Sequence, residues 1–174
     1  MDVLIVIDMQ NDFISGALGT AEAEKIVPLV AEKIRSFKGR VLFTQDTHGE
    51  DYDRTQEGRL LPVAHCIKNE EGWRLHPEIA VFANKRNTIE KPVFGTLRIS
   101  SRLKRWAQKE TIDSITCIGL CTDVCVISNA AILKAAFPEA ELIVDASCCA
   151  GVTPQGHITA LNAMKPMQIK IVNE

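Results

Sequence analysis

No stretch of this chain is apolar for long enough to cross a bilayer, which removes a membrane-spanning helix from consideration. Neither sign of charge prevails. Lys and Arg number 20 against 22 Asp and Glu, a formal net charge of -2, so neither nucleic acid nor an anionic membrane is the expected partner. Gly16 and Gly19 do not complete a G-x-G-x-x-G, and no P-loop is present, so a nucleotide-binding reading loses its main support. Internal repeats, low-complexity tracts and linkers are also missing, and the expectation is one domain over residues 1–174. The amino terminus carries an acidic residue and then an apolar strand, unlike an export signal. A cytoplasmic protein is therefore expected, its six cysteines reduced thiols and not a disulfide framework.

What is present is an alternation of apolar strands and amphipathic helices. Val3–Ile7 and Val41–Thr44 read as buried strands, and residues 20–38 as a helix with Ile26, Leu29, Val30, Ile34 and Phe37 at helical spacing. Residues 47–72 form a long polar stretch, more typical of a functional loop than of filler. A brief strand at Thr88–Glu90 precedes a helix over 97–108. Further strands are expected at 114–120, 141–144 and 168–172, with helices over 124–137 and 155–164. This order predicts a three-layer α/β/α domain around a mostly parallel sheet, with ligands outside the carboxyl ends of the strands.

The segment from Ser114 to Cys125 is the most informative in the chain. A β-branched apolar run stops at small and polar residues, and a helix pattern begins at once with Thr122 or Asp123 placed to cap it. Cys125 then falls in the first helical turn, where the dipole and free N–H groups favour a thiolate and offer oxyanion donors. Asp8 ends the first strand, where a partly desolvated carboxylate suits a general base. Lys91 follows the brief third strand, and its ammonium suits pairing with both carboxylate and thiolate. Singly, each residue has an ordinary structural explanation; their joint placement at strand ends is what points to chemistry.

Asp46-Thr47-His48 sets a carboxylate and an imidazole on one side of an extended segment. His65 and Glu57 lie in the loop beyond. Nitrogen and oxygen donors without thiolates suit Zn²⁺, Fe²⁺ or Mn²⁺.

The segments Val6-Ile7-Asp8-Met9-Gln10-Asn11-Asp12-Phe13, Glu90-Lys91-Pro92-Val93-Phe94 and Gly119-Leu120-Cys121-Thr122-Asp123-Val124-Cys125-Val126 resemble the signature segments of isochorismatase-like cysteine hydrolases. Order and spacing agree along essentially the whole chain. The resemblance implies an Asp8–Lys91–Cys125 triad, a cis Leu120–Cys121 peptide, and an oxyanion hole from the amides of Cys121 and Cys125. Cys121 departs from the alanine common there. Within the superfamily, the D-x-H and later H-C pattern is similar to the nicotinamidase and pyrazinamidase subgroup. That implies one divalent metal ion on Asp46, His48, Glu57 and His65, with zinc first in line. It also implies a pyridine carboxamide substrate (nicotinamide, with pyrazinamide beside it) cleaved through a thioester. Phe13 and Phe94 match positions that flank the ring, and Leu18 and Trp73 are further pocket candidates. Asp46-Thr47-His48-Gly49 departs from the usual D-W-H-P, which bears on substrate choice more than on hydrolase chemistry. The alternatives are a superfamily hydrolase for another small amide or ureide, or a non-catalytic binding module. A homo-oligomer is compatible with either.

Overall fold

The five residues Val3 to Ile7 are completely buried, so the first strand needs apolar cover on both faces. The structure, a computed structural model, describes residues 1–174 and supplies that cover. Its strands are β1 (Asp2–Ile7), β2 (Arg40–Asp46), β3 (Thr88–Lys91), β4 (Ser114–Leu120), β5 (Glu141–Ala150) and β6 (Lys170–Val172). They form one sheet in the order β3-β2-β1-β4-β5-β6, and every adjacent pair is parallel. The helices are α1 (Asn11–Ile14), α2 (Ala21–Ser36), α3 (Gln56–Leu60), α4 (Pro77–Ala80), α5 (Leu97–Ala107), α6 (Ile127–Ala136) and α7 (Pro154–Met164). Helix α2 packs on one face of the sheet, while α5, α6 and α7 pack side by side on the other. The expected three-layer α/β/α architecture is what the chain adopts, and no helix is long and apolar enough to cross a membrane.

Thr20 starts α2 by accepting a hydrogen bond from the Ala23 amide at 3.0 Å. The helix buries Ala23, Ile26, Val27, Val30, Ala31 and Ile34 as one stripe. Leu29, expected on that stripe, is exposed, and Val27 takes its place. Two strands also differ from expectation. β5 runs on to Ala150 because its pairing with β4 resumes, after a register shift, as Gly119↔Cys149 and Leu120↔Ala150. β6 begins only at Lys170, since Gln168 takes a left-handed φ of 60° that closes the preceding turn. The polar stretch is mostly irregular, with α3 and a 3-10 turn at Tyr52–Arg54 inside it.

The strand order reverses direction between β1 and β4, which is where an open α/β sheet leaves a crevice at its carboxyl edge. The two strands are in register there, with Ile7 opposite Gly119. Gly119 has φ +114°, and a Cβ on it would lie 2.1 Å from the Ile7 carbonyl oxygen. Only glycine allows this close approach, which brings the ends of β1 and β4 together.

Candidate active site

Asp8, Lys91 and Cys125 converge at this crevice from three separate elements, and all three side chains are buried. Asp8 directly follows β1 with φ 49°, a conformation that Asp accepts more readily than most residues. Lys91 is the last residue of β3. Its Nζ lies 2.6 Å from Asp8 Oδ2, 3.2 Å from Asp46 Oδ1 and 3.5 Å from Cys125 Sγ. One ammonium therefore touches the thiol and two carboxylates. Burial alone would pull its pKa down, but Asp8, Cys125 and Asp46 hold it far up, so Lys91 is a cation at any ordinary pH.

Cys125 sits in a π-helical turn, Thr122–Val126, that leads into α6. The expected cap by Thr122 or Asp123 is not made. Cys121 occupies the N-cap with no side-chain hydrogen bond. Thr122 Oγ1 instead pairs with His157 Nδ1 at 2.8 Å, and Asp123 Oδ1 accepts from the Val152 amide at 3.0 Å. Both side chains are thus committed to tying this turn to α7 and the end of β5. The Leu120–Cys121 peptide is cis, as the family resemblance implied.

The helix start was expected to favour the thiolate of Cys125, and burial opposes it. Burial pushes the Cys125 thiol well above its usual range, the Asp8 carboxylate adds to the rise, and Lys91 offsets only part of it. Burial likewise raises Asp8, with Lys91 pulling the other way. A carboxylate of raised basicity beside a neutral thiol is arranged to accept its proton. Cys121, half-buried, has its own thiol pushed up to about 12 by burial, so it stays neutral.

Thr44 was not expected in the site. Its hydroxyl donates to Asp8 Oδ1 at 2.6 Å and accepts from the Asp8 amide at 3.2 Å. Gln10, fully buried, grips Asp46 from both sides: its Nε2 donates to the Asp46 carbonyl at 2.9 Å, and its Oε1 accepts from the Asp46 amide at 2.7 Å. The i, i+2 spacing of Thr44 and Asp46 on β2 was the available signal for Thr44.

Asp46, His48, Glu57 and His65 do come together, each offering one ligand atom within 4.8 Å of the others. Asp46 Oδ2 is 3.0 Å from His48 Nε2 and 3.6 Å from His65 Nε2. Burial would raise the Asp46 carboxyl, but the facing imidazoles of His48 and His65, with Lys91, hold it well below the usual carboxylate range. His65 Nδ1 donates to the Val63 carbonyl at 2.8 Å, which turns Nε2 toward Asp46 and Glu57 as a ligand nitrogen. Tyr52 packs edge-on against both imidazoles. Glu57 Oε1 is buried without a hydrogen-bond partner. That oxygen lies 3.6 Å from His48 Nε2 and 3.8 Å from His65 Nε2, and two carboxylates and two imidazoles facing one another this closely fit a divalent metal ion.

Phe13 is buried, its ring tilted against His65 at 5.5 Å. Phe94 is exposed at the rim. Leu18 is half-buried and packs against the core. Trp73 lies elsewhere: its indole donates to Thr47 Oγ1 at 2.8 Å, and it lines a separate groove of about 960 Å³ beside β3, whose walls include none of Asp8, Lys91 or Cys125.

A doubly wound parallel sheet with a thiol, an ammonium and two carboxylates buried at its switch point defines an α/β protein built around a cysteine-centred site. The chain belongs to the isochorismatase family: the Isochorismatase domain model matches residues 2–173. It is 27% identical over 187 residues to a nicotinamidase/pyrazinamidase of Mycobacterium tuberculosis, across 99% of this chain and 98% of that one. It is 29% identical to an Escherichia coli nicotinamidase over 71% of each chain. Among solved structures, the pyrazinamidase of Pyrococcus horikoshii in complex with zinc superimposes with a TM-score of 0.79 at 28% identity, covering 99% of both chains.

Proposed function

We propose that this protein is a nicotinamidase, hydrolysing nicotinamide to nicotinate and ammonia and accepting pyrazinamide as well. The observation that carries the reading is the shared ammonium of Lys91, which joins the thiol, the Asp8 carboxylate and the metal-type donor Asp46 into one continuous site. A thiol triad alone suits many amides. A triad fused to a metal cluster suits a substrate whose carboxamide and ring nitrogen are held at once, and the relatives named for nicotinamide and pyrazinamide support that class.

Asp8 takes the proton of Cys125 while Lys91 stabilises the nascent thiolate, which attacks the carboxamide carbon. The amides of Cys121 and Cys125 hold the oxyanion; the Cys121 N–H has no partner within the chain and is free for that use. Asp8 returns its proton to the departing ammonia, leaving a thioester on Cys125. Water, deprotonated by Asp8, attacks the thioester carbon, and nicotinate leaves as the thiol is restored. Asp46, His48, Glu57 and His65 would hold a divalent ion (zinc, iron or manganese) that supplies a Lewis-acid contact orienting the pyridine nitrogen. Phe13 and Phe94 flank the ring, with Leu18 at the margin.

The test is ammonia release from nicotinamide by purified protein, measured as isolated, after chelation, and after adding back Zn²⁺, Fe²⁺ or Mn²⁺. Turnover that falls on chelation and returns with metal supports the whole reading. Cys125→Ala should abolish it without unfolding the protein. Absence of turnover in every metal state, from folded protein whose Cys125 still alkylates, would discard nicotinamide and leave another small amide or ureide.

A further inference from the structure

The widened turn that carries Cys125 leaves helix carbonyls to be met by side chains. Ser128 Oγ donates to the Val124 carbonyl at 2.6 Å, and Asn129 Nδ2 donates to the Cys125 carbonyl at 2.8 Å. Asn129 does more than complete its own helix. The same Nδ2 donates to the Phe94 carbonyl at 2.9 Å, while Oδ1 accepts from the Thr96 amide at 3.0 Å. The residue is fully buried, so these bonds form where water does not compete. Three backbone groups, one belonging to the thiol-bearing residue and two to the loop after Lys91, thus meet on one amide.

A second, independent contact fastens the same loop. A Cβ on Gly95 would lie 2.8 Å from Ile132 Cδ1 and 3.3 Å from Ser128 Cβ, so the loop backbone presses directly onto α6. Phe94 directly precedes Gly95 in this fastened loop and is exposed. Its position therefore depends on its backbone, and its backbone depends on Asn129 and Gly95.

The geometry points to Asn129 as a positioning residue that fixes the spacing between Cys125 and the Phe94 wall, and thereby sets which flat ring the site accepts. Asn129 bonds only backbone groups, those of Cys125, Phe94 and Thr96, and acts through them. This inference rests on the nicotinamidase reading for its substrate but not for its geometry.

Two variants test it. Asn129→Leu keeps the approximate volume and removes all three bonds. Gly95→Ala adds a methyl to which Ile132 Cδ1 and Ser128 Cβ must yield, crowding the loop against α6 without touching Asn129. Both should raise KM for nicotinamide roughly tenfold while kcat stays within about threefold, because a displaced wall weakens holding of the ring more than attack at the carboxamide. In Asn129→Leu the Thr96 amide should also exchange with solvent at least about tenfold faster, while the amides of β4 keep their protection. Unchanged KM in both variants would overturn the inference. So would a fall in kcat at constant KM that tracks lost thermal stability, the mark of a merely structural amide. If the parent protein turned over no pyridine carboxamide, the function reading would fail separately, and the Thr96 exchange would decide the clamp: no acceleration in Asn129→Leu overturns it.

Discussion

Thr44→Val is the most discriminating perturbation of the proposed base. The exchange nearly preserves shape and removes only the hydroxyl that donates to Asp8 Oδ1 at 2.6 Å and accepts from the Asp8 amide at 3.2 Å. A hydrogen bond to a charged group contributes about 1.5–3 kcal/mol. This one favours the carboxylate over the acid. Its loss should therefore raise the Asp8 pKa further. Asp8 must be ionised to take the Cys125 proton, so activity requires a pH above its pKa. The acid limb of kcat/KM against pH should therefore move upward, with the plateau beyond it largely kept. The orphaned Asp8 amide should cost about 1–3 kcal/mol of stability, readable by chemical denaturation. Thr44→Ser should restore the limb. An acid limb that stays put in Thr44→Val, in a folded enzyme, would refute the assignment of that limb to Asp8 and with it the proton path.

Other outcomes follow from the same geometry. His48→Ala removes one of four donors and should lower bound metal below one equivalent by elemental analysis; full retention would take His48 out of the ligand set. Cys121→Ala should leave kcat/KM within about threefold of the parent, since a neutral thiol contributes only its backbone N–H, and a loss of tenfold or more would give the side chain a role. Asp145→Asn should destabilise the fold by about 1–3 kcal/mol, because Lys33, 2.7 Å from the carboxylate, loses its partner. Despite burial, hydrogen bonds from Lys33, Asn173 and Ser147 hold the Asp145 carboxyl below its ordinary range. Its contribution is thus present above a pH of roughly 4 and fades as pH falls through the lowered folded value, so parent and variant should converge in acid denaturation.

Much of this architecture was legible in the residues. Strands buried on both faces announce themselves as unbroken apolar runs, and the run at Val3–Ile7 is one. Strand ends are legible too, so Asp8, Lys91 and Cys125 could be placed at one edge of a sheet before any coordinates. The four metal-type donors followed from residue chemistry and from resemblance. What the chain did not disclose depends on the third dimension. Leu29 and Val27 flank the Ile26, Val30 and Ile34 stripe on opposite sides, and only the packing of α2 decides which flank faces the sheet. The protonation of Cys125 turns on how completely water is excluded, a property of the assembled crevice and not of a helix start. Asn129 reads as one more polar residue on an amphipathic helix until the Phe94 loop lies against it. Trp73 shows the converse, an aromatic near the site in sequence that faces another groove.

Lys91 closes β3, a four-residue strand at the open edge of the sheet, held by β2 alone. The cation that unites the site therefore rides on the part of the sheet with the fewest hydrogen-bonded neighbours, where fraying needs less free energy than global melting. Warming should uncouple catalysis from folding: turnover should decline reversibly at temperatures where calorimetry still records an intact domain. Engineering for heat tolerance would accordingly do more by pinning this margin than by enlarging the core.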